Sequence, residues 1–140
     1  RRGIDVEFGL SVYEPYVISQ LEPLGYGGIC VVSNVCGCVG LAQRAAGDEG
    51  LGDNVLVGDF TTLLTPMTID ALKGMPIEHR DALENLESAR LAEAIAERLT
   101  DDVPALQARH DRGWQMAQAM SWDHVVTEYF LPALAHASAD

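Results

Sequence analysis

The sequence predicts an α/β fold in which parallel strands are followed by several packing helices. Three short apolar runs rich in β-branched residues, 4–10, 29–32 and 55–57, lie in the first part of the chain. Such unalternating runs are typical of parallel strands that are buried on both faces. Beyond them, the apolar residues recur at helical intervals. We therefore divide a single domain into a βαβ segment, 1–60, and a helical segment, 61–140.

The first segment is expected to form a strand–helix–strand unit, then a loop and a third strand. Residues 17–26 have helical length, and Gly27 and Gly28 end them before the second strand. A strand, a helix and a strand within about thirty residues is typical of a βαβ unit. We interpret the Gly-rich stretch 37–52 as a long loop, of a kind that is often functional.

Four helices are expected in the second segment, each with a recognisable start signal. The expected helices are 69–73 after Thr68, 76–99 from Pro76, about 103–120 after Asp101 or Asp102, and 122–137 after Ser121. Pro132 should kink or split the last helix, because proline lacks an N–H group and its ring clashes with the preceding turn.

Side chains outside the candidate site have ordinary structural interpretations. The charged run 84–97 is expected to face solvent, and so is the acidic loop that contains Asp48, Glu49 and Asp53. Trp114 and Trp122 are expected to pack between helices. Asp123 and His124 are not interpreted as a catalytic pair, because neighbouring helical positions point apart.

The net charge of the chain and the lengths of its apolar runs exclude several classes of partner. The 140 residues carry 21 acidic and 9 basic side chains, which gives a net charge of −12. Nucleic acids and anionic membranes are bound by clustered Lys and Arg, so neither is expected as a partner. No apolar run has the length of a membrane-spanning helix. The start RRGIDVEF shows no signal-peptide pattern. Because it also has no initiator Met, we expect a chain cut from a longer protein.

The three cysteines, Cys30, Cys36 and Cys38, are close together in sequence and odd in number. A disulfide framework is therefore not expected, and a cytoplasmic location fits better. Cys36 and Cys38 could form half of a metal site, but a closed zinc site needs four ligands and the sequence offers no second pair at ligand spacing. We expect small buried thiols and no metal.

Two glutamates with the spacing E-x7-E, Glu14 and Glu22, draw attention to the region after the first strand. Ligands of open α/β sheets bind beyond the carboxyl ends of the strands. The unpaired N–H groups at the start of the following helix favour a phosphate. Glu22 would lie roughly 5–9 Å further along the helix, a distance that suits the hydroxyls of a ribose. Glu14 would meet a group beyond the phosphates, such as a sugar.

A structural interpretation of the same residues is equally open. Ser19 and Glu22 have the spacing of a capping box, in which the two residues satisfy backbone N–H groups at a helix start. Pro23 would then stand at the fourth helical position, where its missing N–H has no cost. Glu14, which precedes Pro15, is on its own an ordinary turn residue.

The stretch FGLSVYEPYVISQLEPLGYGGICVVSNVCG, residues 8–37, resembles the nucleotide-sugar motif of retaining glycosyltransferases with the GT-B fold, such as glycogen and starch synthases. That family shows a strand, Ser-x-x-Glu-Pro-aromatic-Gly-Ile, a helix with a second Glu, Gly-Gly and a Val-Val-Ser strand. The matching residues here are Ser11, Glu14, Pro15, Tyr16, Ile18, Glu22, Gly27, Gly28, Val31, Val32 and Ser33. Residues 121–123, Ser-Trp-Asp, look like the start of the family's last helix, which returns to the N-terminal domain.

The resemblance implies that the chain is the C-terminal part of a Rossmann-like GT-B domain that binds a UDP-, ADP- or GDP-linked hexose. The hexose would pass to an acceptor hydroxyl with retention of configuration. Glu14 would be catalytic and would orient the sugar, and Glu22 would hold the ribose hydroxyls. The backbone amides that meet the sugar and diphosphate would be those of Tyr16, Val17, Ile18 and Ser19. Amides and helix dipole would stabilise the charge on the diphosphate, and no metal or other cofactor is implied.

Two departures from the family pattern leave other interpretations open. Val17 replaces a glycine that lets the backbone approach the ligand, and Pro23 replaces a small residue. The family's basic residues for the diphosphate and its N-terminal acceptor domain lie upstream, so the chain alone is expected to be inactive. One alternative is a non-catalytic or degenerate nucleotide-sugar-binding or assembly module, which Val17 favours. Another is a different GT-B enzyme, a phosphorylase or a sugar-nucleotide epimerase, although Glu22 disfavours a phosphorylase because it has no ribose to hold.

Overall fold

The computed structural model describes residues 3–10, 19–61 and 68–138. Three parallel strands form one sheet in the order β1-β2-β3. The strands are β1 (Val6–Gly9), β2 (Ile29–Ser33) and β3 (Val55–Gly58). In the register of the sheet, Val6 lies opposite Ile29, and Cys30 lies opposite Val55. The predicted α/β class and the three predicted parallel strands are therefore confirmed.

A 3₁₀ helix, Ser19–Tyr26, lies between β1 and β2, where the sequence predicts a helix over 17–26. Pro23 lies inside this helix and is buried, and a proline in the interior removes one N–H donor from an α-helical ladder. Gly27, with φ of 77°, ends the helix, and its N–H donates to the Leu24 carbonyl over 3.1 Å. The first two positions of the predicted helix lie outside the described residues.

A second crossover helix, α1 (Cys38–Ala46), connects β2 and β3. The prediction of one long loop over 37–52 is wrong for this part. Cys38, Ala42 and Ala46 recur every fourth residue and are buried, which gives a short helix one apolar face. The glycines that suggested a loop lie mostly after the helix, where Gly47 has a positive φ of 60° and ends it.

The second half of the chain is helical, as predicted. Its elements are α2 (Ile69–Lys73), α3 (Ile77–Arg98), α4 (Val103–Ala119), α5 (Trp122–Val125), a π-helical segment (Val126–Phe130) and α6 (Leu131–Ala137). Three predicted caps are confirmed: Thr68, Asp102 and Ser121 each accept a backbone N–H from the first turn that follows, over 2.9–3.2 Å. The break predicted at Pro132 is observed as a π-helical segment just before the proline. This segment accommodates the hydrogen bond that the Pro132 nitrogen cannot donate.

Helices cover both faces of the sheet. Cys30 and Val32 of β2 pack with Leu24 of the 3₁₀ helix, Cys38 of α1 and Met116 of α4. The alternate residues of β2 form a second cluster with α3 on the opposite face; its buried members are Ile29, Val31, Leu56 and Leu91. Because successive strand residues point to opposite faces, burial on both faces explains the unalternating apolar run of β2.

Helix α3 corrects the prediction that the charged run 84–97 faces solvent. Glu87 is fully buried; it accepts the Asp59 N–H over 2.7 Å and pairs with Arg90. Arg90 in turn donates to the Val57 carbonyl over 2.8 Å. Backbone groups around the end of β3 need partners when they are buried, and α3 supplies them. Most other acidic residues of this run are exposed.

Arginines of α4 hold the loops at the amino ends of the strands. Arg109 is buried and donates to the carbonyls of Gly27, over 2.9 Å, and Arg98, over 2.7 Å. Asn54 donates to the Arg109 carbonyl over 2.8 Å. Arg112 donates to the Ala46 carbonyl over 2.6 Å. These bonds fix α4 across the sheet.

The acidic loop between α1 and β3 is exposed, as predicted. Two of its carboxylates also lie near arginines: Glu49 is 3.1 Å from Arg112, and Asp53 is 3.6 Å from Arg98. Among the described residues, no helix is both long and apolar enough to cross a membrane.

Candidate functional site

The residues that carry the family resemblance are described only in part. Glu14, Tyr16, Val17 and Ile18 lie outside the described residues, so the roles expected for them stay predictions. Ser19 and Glu22 lie on the 3₁₀ helix that follows β1. Residues i and i+3 of a 3₁₀ helix lie on the same face, so these two residues share one side of it. Ser19 is its first residue, whereas the capping-box interpretation requires Ser19 at the N-cap, just before the first helical residue.

Gln20 closes the space between the carboxyl end of β1 and the start of α1, and sequence analysis missed it. It is buried, and its Oε1 lies 3.8 Å from the Cys36 Sγ and 3.7 Å from the Cys38 Sγ as their acceptor. A Cβ atom at Gly9 would stand 1.9 Å from the Gln20 Cδ. Gly9 is therefore the residue that makes room for Gln20.

The predicted buried thiols are confirmed: Cys30, Cys36 and Cys38 are free and buried. The Cys36 Sγ donates to the Cys38 Sγ over 2.9 Å. Burial first, and then the hydrogen-bonding interaction with the Cys36 thiol, raise the pKa of the Cys38 thiol to about 12. At neutral pH Cys38 is thus a neutral thiol, which is a poor nucleophile. The described residues hold no group of three or more His, Cys, Asp or Glu that could bind a metal ion.

A second polar group closes the carboxyl ends of β2 and β3. Asn34 donates to Asp59 over 2.7 Å and to Thr61 over 2.6 Å, and it accepts the Phe60 N–H over 3.1 Å. These side chains satisfy one another and the backbone around them. One groove among the described residues lies on the carboxyl side of the sheet beside the 3₁₀ helix.

Glu22 is exposed between Leu21 and Pro23, which are both buried. It lies at the rim of an open groove of about 440 Å³. The groove is mainly apolar, and its lining includes Leu21, Leu41, Met120, Val125, Glu22 and Trp122. Leu21 and Leu41 belong to the first turns of the segments that follow β1 and β2, which places the groove on the side where ligands of α/β sheets bind.

The turn between α4 and α5 forms the far wall of this groove. The Met120 N–H donates to the Met116 carbonyl over 3.2 Å and ends α4. The Ser121 Oγ accepts the His124 N–H over 3.2 Å and starts α5. Trp122, the first residue of α5, stands beside the groove with 81% of its surface exposed.

The prediction that both tryptophans pack between helices is wrong. Trp122 is 81% exposed and Trp114 is 50% exposed. Trp114 lies on the outer side of α4, next to Gly113 and two positions before Met116, which are both buried. Trp122 begins a helix that contacts the end of α4 and then extends with exposed side chains such as Tyr129 and Phe130.

A second groove, of about 460 Å³, adjoins the first across Leu41 and Val125. Arg44, His124 and Tyr129 line it, and the rings of His124 and Tyr129 meet edge to face with centroids 6.0 Å apart. The first groove thus presents a carboxylate and an indole, and the second presents a cationic side chain. Such a surface suits a ligand with a flat ring, hydroxyl groups and an anionic group.

Comparisons with known proteins do not assign a family to this geometry. The chain matches no protein-family model, no curated protein and no solved structure. The parallel α/β architecture is shown by the three-stranded sheet and the helices packed on it.

Proposed function

We propose that this chain is the nucleotide-sugar donor-binding part of a retaining glycosyltransferase, and that it belongs to the C-terminal half of a GT-B domain. The reaction is the transfer of a hexose from a UDP-, ADP- or GDP-linked donor to an acceptor hydroxyl. One observation carries the proposal. Glu22, the second glutamate of the E-x7-E motif, is exposed at the rim of a groove on the carboxyl side of a parallel sheet.

Each motif residue has a role in this proposal. Glu22 accepts hydrogen bonds from the two ribose hydroxyls, which suits a carboxylate with two oxygen atoms. Ser19 begins the 3₁₀ helix, so its backbone N–H belongs to the unpaired first turn that favours a phosphate. The amides of Tyr16, Val17 and Ile18 would extend that cradle. Glu14 would orient the hexose.

The proposal includes an acceptor domain N-terminal to these residues and a cytoplasmic location, which the three free cysteines support. Without the acceptor domain, the 140-residue chain binds a donor but does not transfer it. The alternative is a degenerate nucleotide-sugar-binding module on the same site, and Val17 in place of glycine favours it. A transfer assay on the protein that carries an acceptor domain separates the two.

The test of donor binding is a titration of the 140-residue chain with UDP-glucose, ADP-glucose and GDP-glucose. Glu22→Ala removes the acceptor for the ribose hydroxyls and should weaken binding of the preferred donor by about 1–3 kcal/mol. Glu97→Ala is the matched control, because Glu97 is an exposed glutamate on α3 outside the groove.

The outcomes of this titration are distinct. A loss of affinity in Glu22→Ala but not in Glu97→Ala supports the donor site. An unchanged affinity together with a lower melting temperature assigns Glu22 to a capping box and removes the ribose contact. If none of the three donors binds the unmodified chain, the donor-binding proposal is wrong.

A further inference from the structure

Trp122 is an exposed aromatic side chain, so packing in the core of the described residues does not account for it. Among the exposed large apolar side chains of the described residues, it has the highest exposed fraction, 81%. Its position is nevertheless well fixed, because α4 ends at Met120 and the Ser121 hydroxyl caps the helix that Trp122 begins. An exposed indole held at a defined point is suited to contact a ligand.

Trp122 and Glu22 line the same groove from different elements. Glu22 comes from the 3₁₀ helix after β1, and Trp122 comes from the turn after α4. Between them the groove is lined by aliphatic and thioether side chains, with Leu21, Leu41 and Met120 among them. Its volume of about 440 Å³ lies within the range of small-ligand sites, roughly 300–1,000 Å³.

The chemistry of the two rim residues differs, and together they match two parts of one molecule. A carboxylate accepts hydrogen bonds from hydroxyl groups, whereas an indole offers a flat π surface to another ring. A nucleoside carries a hydroxylated ribose and a flat base side by side. Stacking on an aromatic side chain is available to every base, because each base has a π face.

We propose that Trp122 stacks on the nucleobase of the bound nucleotide while Glu22 holds its ribose. This inference rests on the proposed donor site and adds its base-binding residue. Trp122 is then a contact that gives affinity for any nucleoside diphosphate with little preference among bases. The apolar lining of the groove packs against the edge of the base.

Trp114 provides a matched control for Trp122. It is also exposed, at 50%, and lies on the preceding helix, but it does not line the groove. In a Trp114→Phe chain, Trp122 is the sole tryptophan, so its fluorescence emission reports on the groove directly. The probes are ADP, UDP and ribose 5-phosphate, which has the sugar and a phosphate but no base.

In Trp114→Phe, ADP and UDP should quench the Trp122 emission with saturation, and ribose 5-phosphate should leave it unchanged. Trp122→Ala in the otherwise unmodified chain should weaken ADP binding, followed by equilibrium dialysis, by about 5- to 150-fold. Trp114→Ala should not change it. Trp122→Phe, which keeps an aromatic ring, should recover most of the affinity. Because Trp122 is 81% exposed, its substitution should leave the fold intact, and circular dichroism checks this.

Two results would overturn the inference, and they differ in what they leave standing. If ADP and UDP bind with equal affinity to Trp122→Ala and the unmodified chain, and the emission of Trp122 does not respond, the base does not lie on Trp122. The donor site at Glu22 then remains. If neither nucleotide binds the unmodified chain at millimolar concentration, both the stacking contact and the donor site are wrong.

Discussion

The amino end of the sheet and the groove on its carboxyl side differ in how far their side chains are exposed to solvent. At the amino end, Arg109, Asn54 and Arg112 each donate to a backbone carbonyl of a neighbouring segment. At the groove, Glu22 is exposed at the rim and Trp122 presents most of its surface to solvent. In our proposal, side chains at the amino end stabilise the fold and side chains at the groove bind the nucleotide sugar.

The largest effect is expected at the amino end, from Arg109→Ala. This change leaves the partly buried carbonyls of Gly27 and Arg98 without the Arg109 donors and should lower the free energy of unfolding by about 3 kcal/mol. Urea denaturation measures the change. Arg80→Ala is the control, because the Arg80–Glu84 pair is an exposed helical ion pair, and its loss should cost about 0.5 kcal/mol or less.

Arg109→Ala also tests whether the amino end of the sheet affects binding at the groove. For this, nucleotide binding is measured at urea concentrations below the unfolding transition of the variant. Arg109 does not line either groove, so affinity for the donor should be unchanged in the folded fraction. A loss of stability no larger than that of Arg80→Ala would show that the buried guanidinium does not hold this end of the sheet.

A second, smaller effect is expected at the buried thiol behind the 3₁₀ helix. Cys38 has an ordinary pKa of 9.0, and burial raises its pKa to about 12 in the folded chain. The folded state therefore keeps a proton that the unfolded state loses above pH 9, and stability from this group declines as pH rises from about 9 towards 12. Below pH 9 both states hold the proton, so this group adds no pH dependence there.

Urea denaturation at a series of pH values tests this sign. The unmodified chain should lose stability above pH 9 more steeply than Cys38→Ala, which has no thiol to ionise at this position. At pH 7 the folded chain should also react slowly with iodoacetamide, because Cys38 is buried and neutral. Equal slopes for the two chains above pH 9 would contradict the assigned pKa.

The sequence predicted the elements whose signals are local. The caps at Thr68, Asp102 and Ser121 and the break before Pro132 each depend on residues a few positions apart. Strands β2 and β3 were recognisable because burial on both faces leaves apolar runs without alternation, whereas β1 is only partly buried. Helix α1 was missed because the glycines around it outweighed its short apolar face.

Features formed by distant residues could not be predicted in the same way. The partner of Glu87 is the Asp59 N–H, 28 positions away, so nothing near Glu87 marks it as buried. The groove combines Leu21, Leu41 and Trp122 from three separate elements. The E-x7-E spacing indicated Glu22, but its position beside an apolar groove depends on how α4 crosses the sheet.

The smallest effect on stability, and the sharpest test of the comparison, is expected from Ser121→Ala. The Ser121 hydroxyl accepts the His124 N–H at the start of α5, and loss of such a cap costs about 1 kcal/mol. Thr68→Ala is the matched control, because Thr68 makes the equivalent contact with Ala71 at the start of α2. Thermal unfolding should show similar, small losses for both variants. Nucleotide affinity should separate them. Ser121 lines the groove and caps the helix that Trp122 begins, so Ser121→Ala should weaken ADP binding several-fold, and Thr68→Ala should leave it unchanged. Equal affinities in the two variants would mean that the turn between α4 and α5 stabilises the helix without positioning a ligand contact.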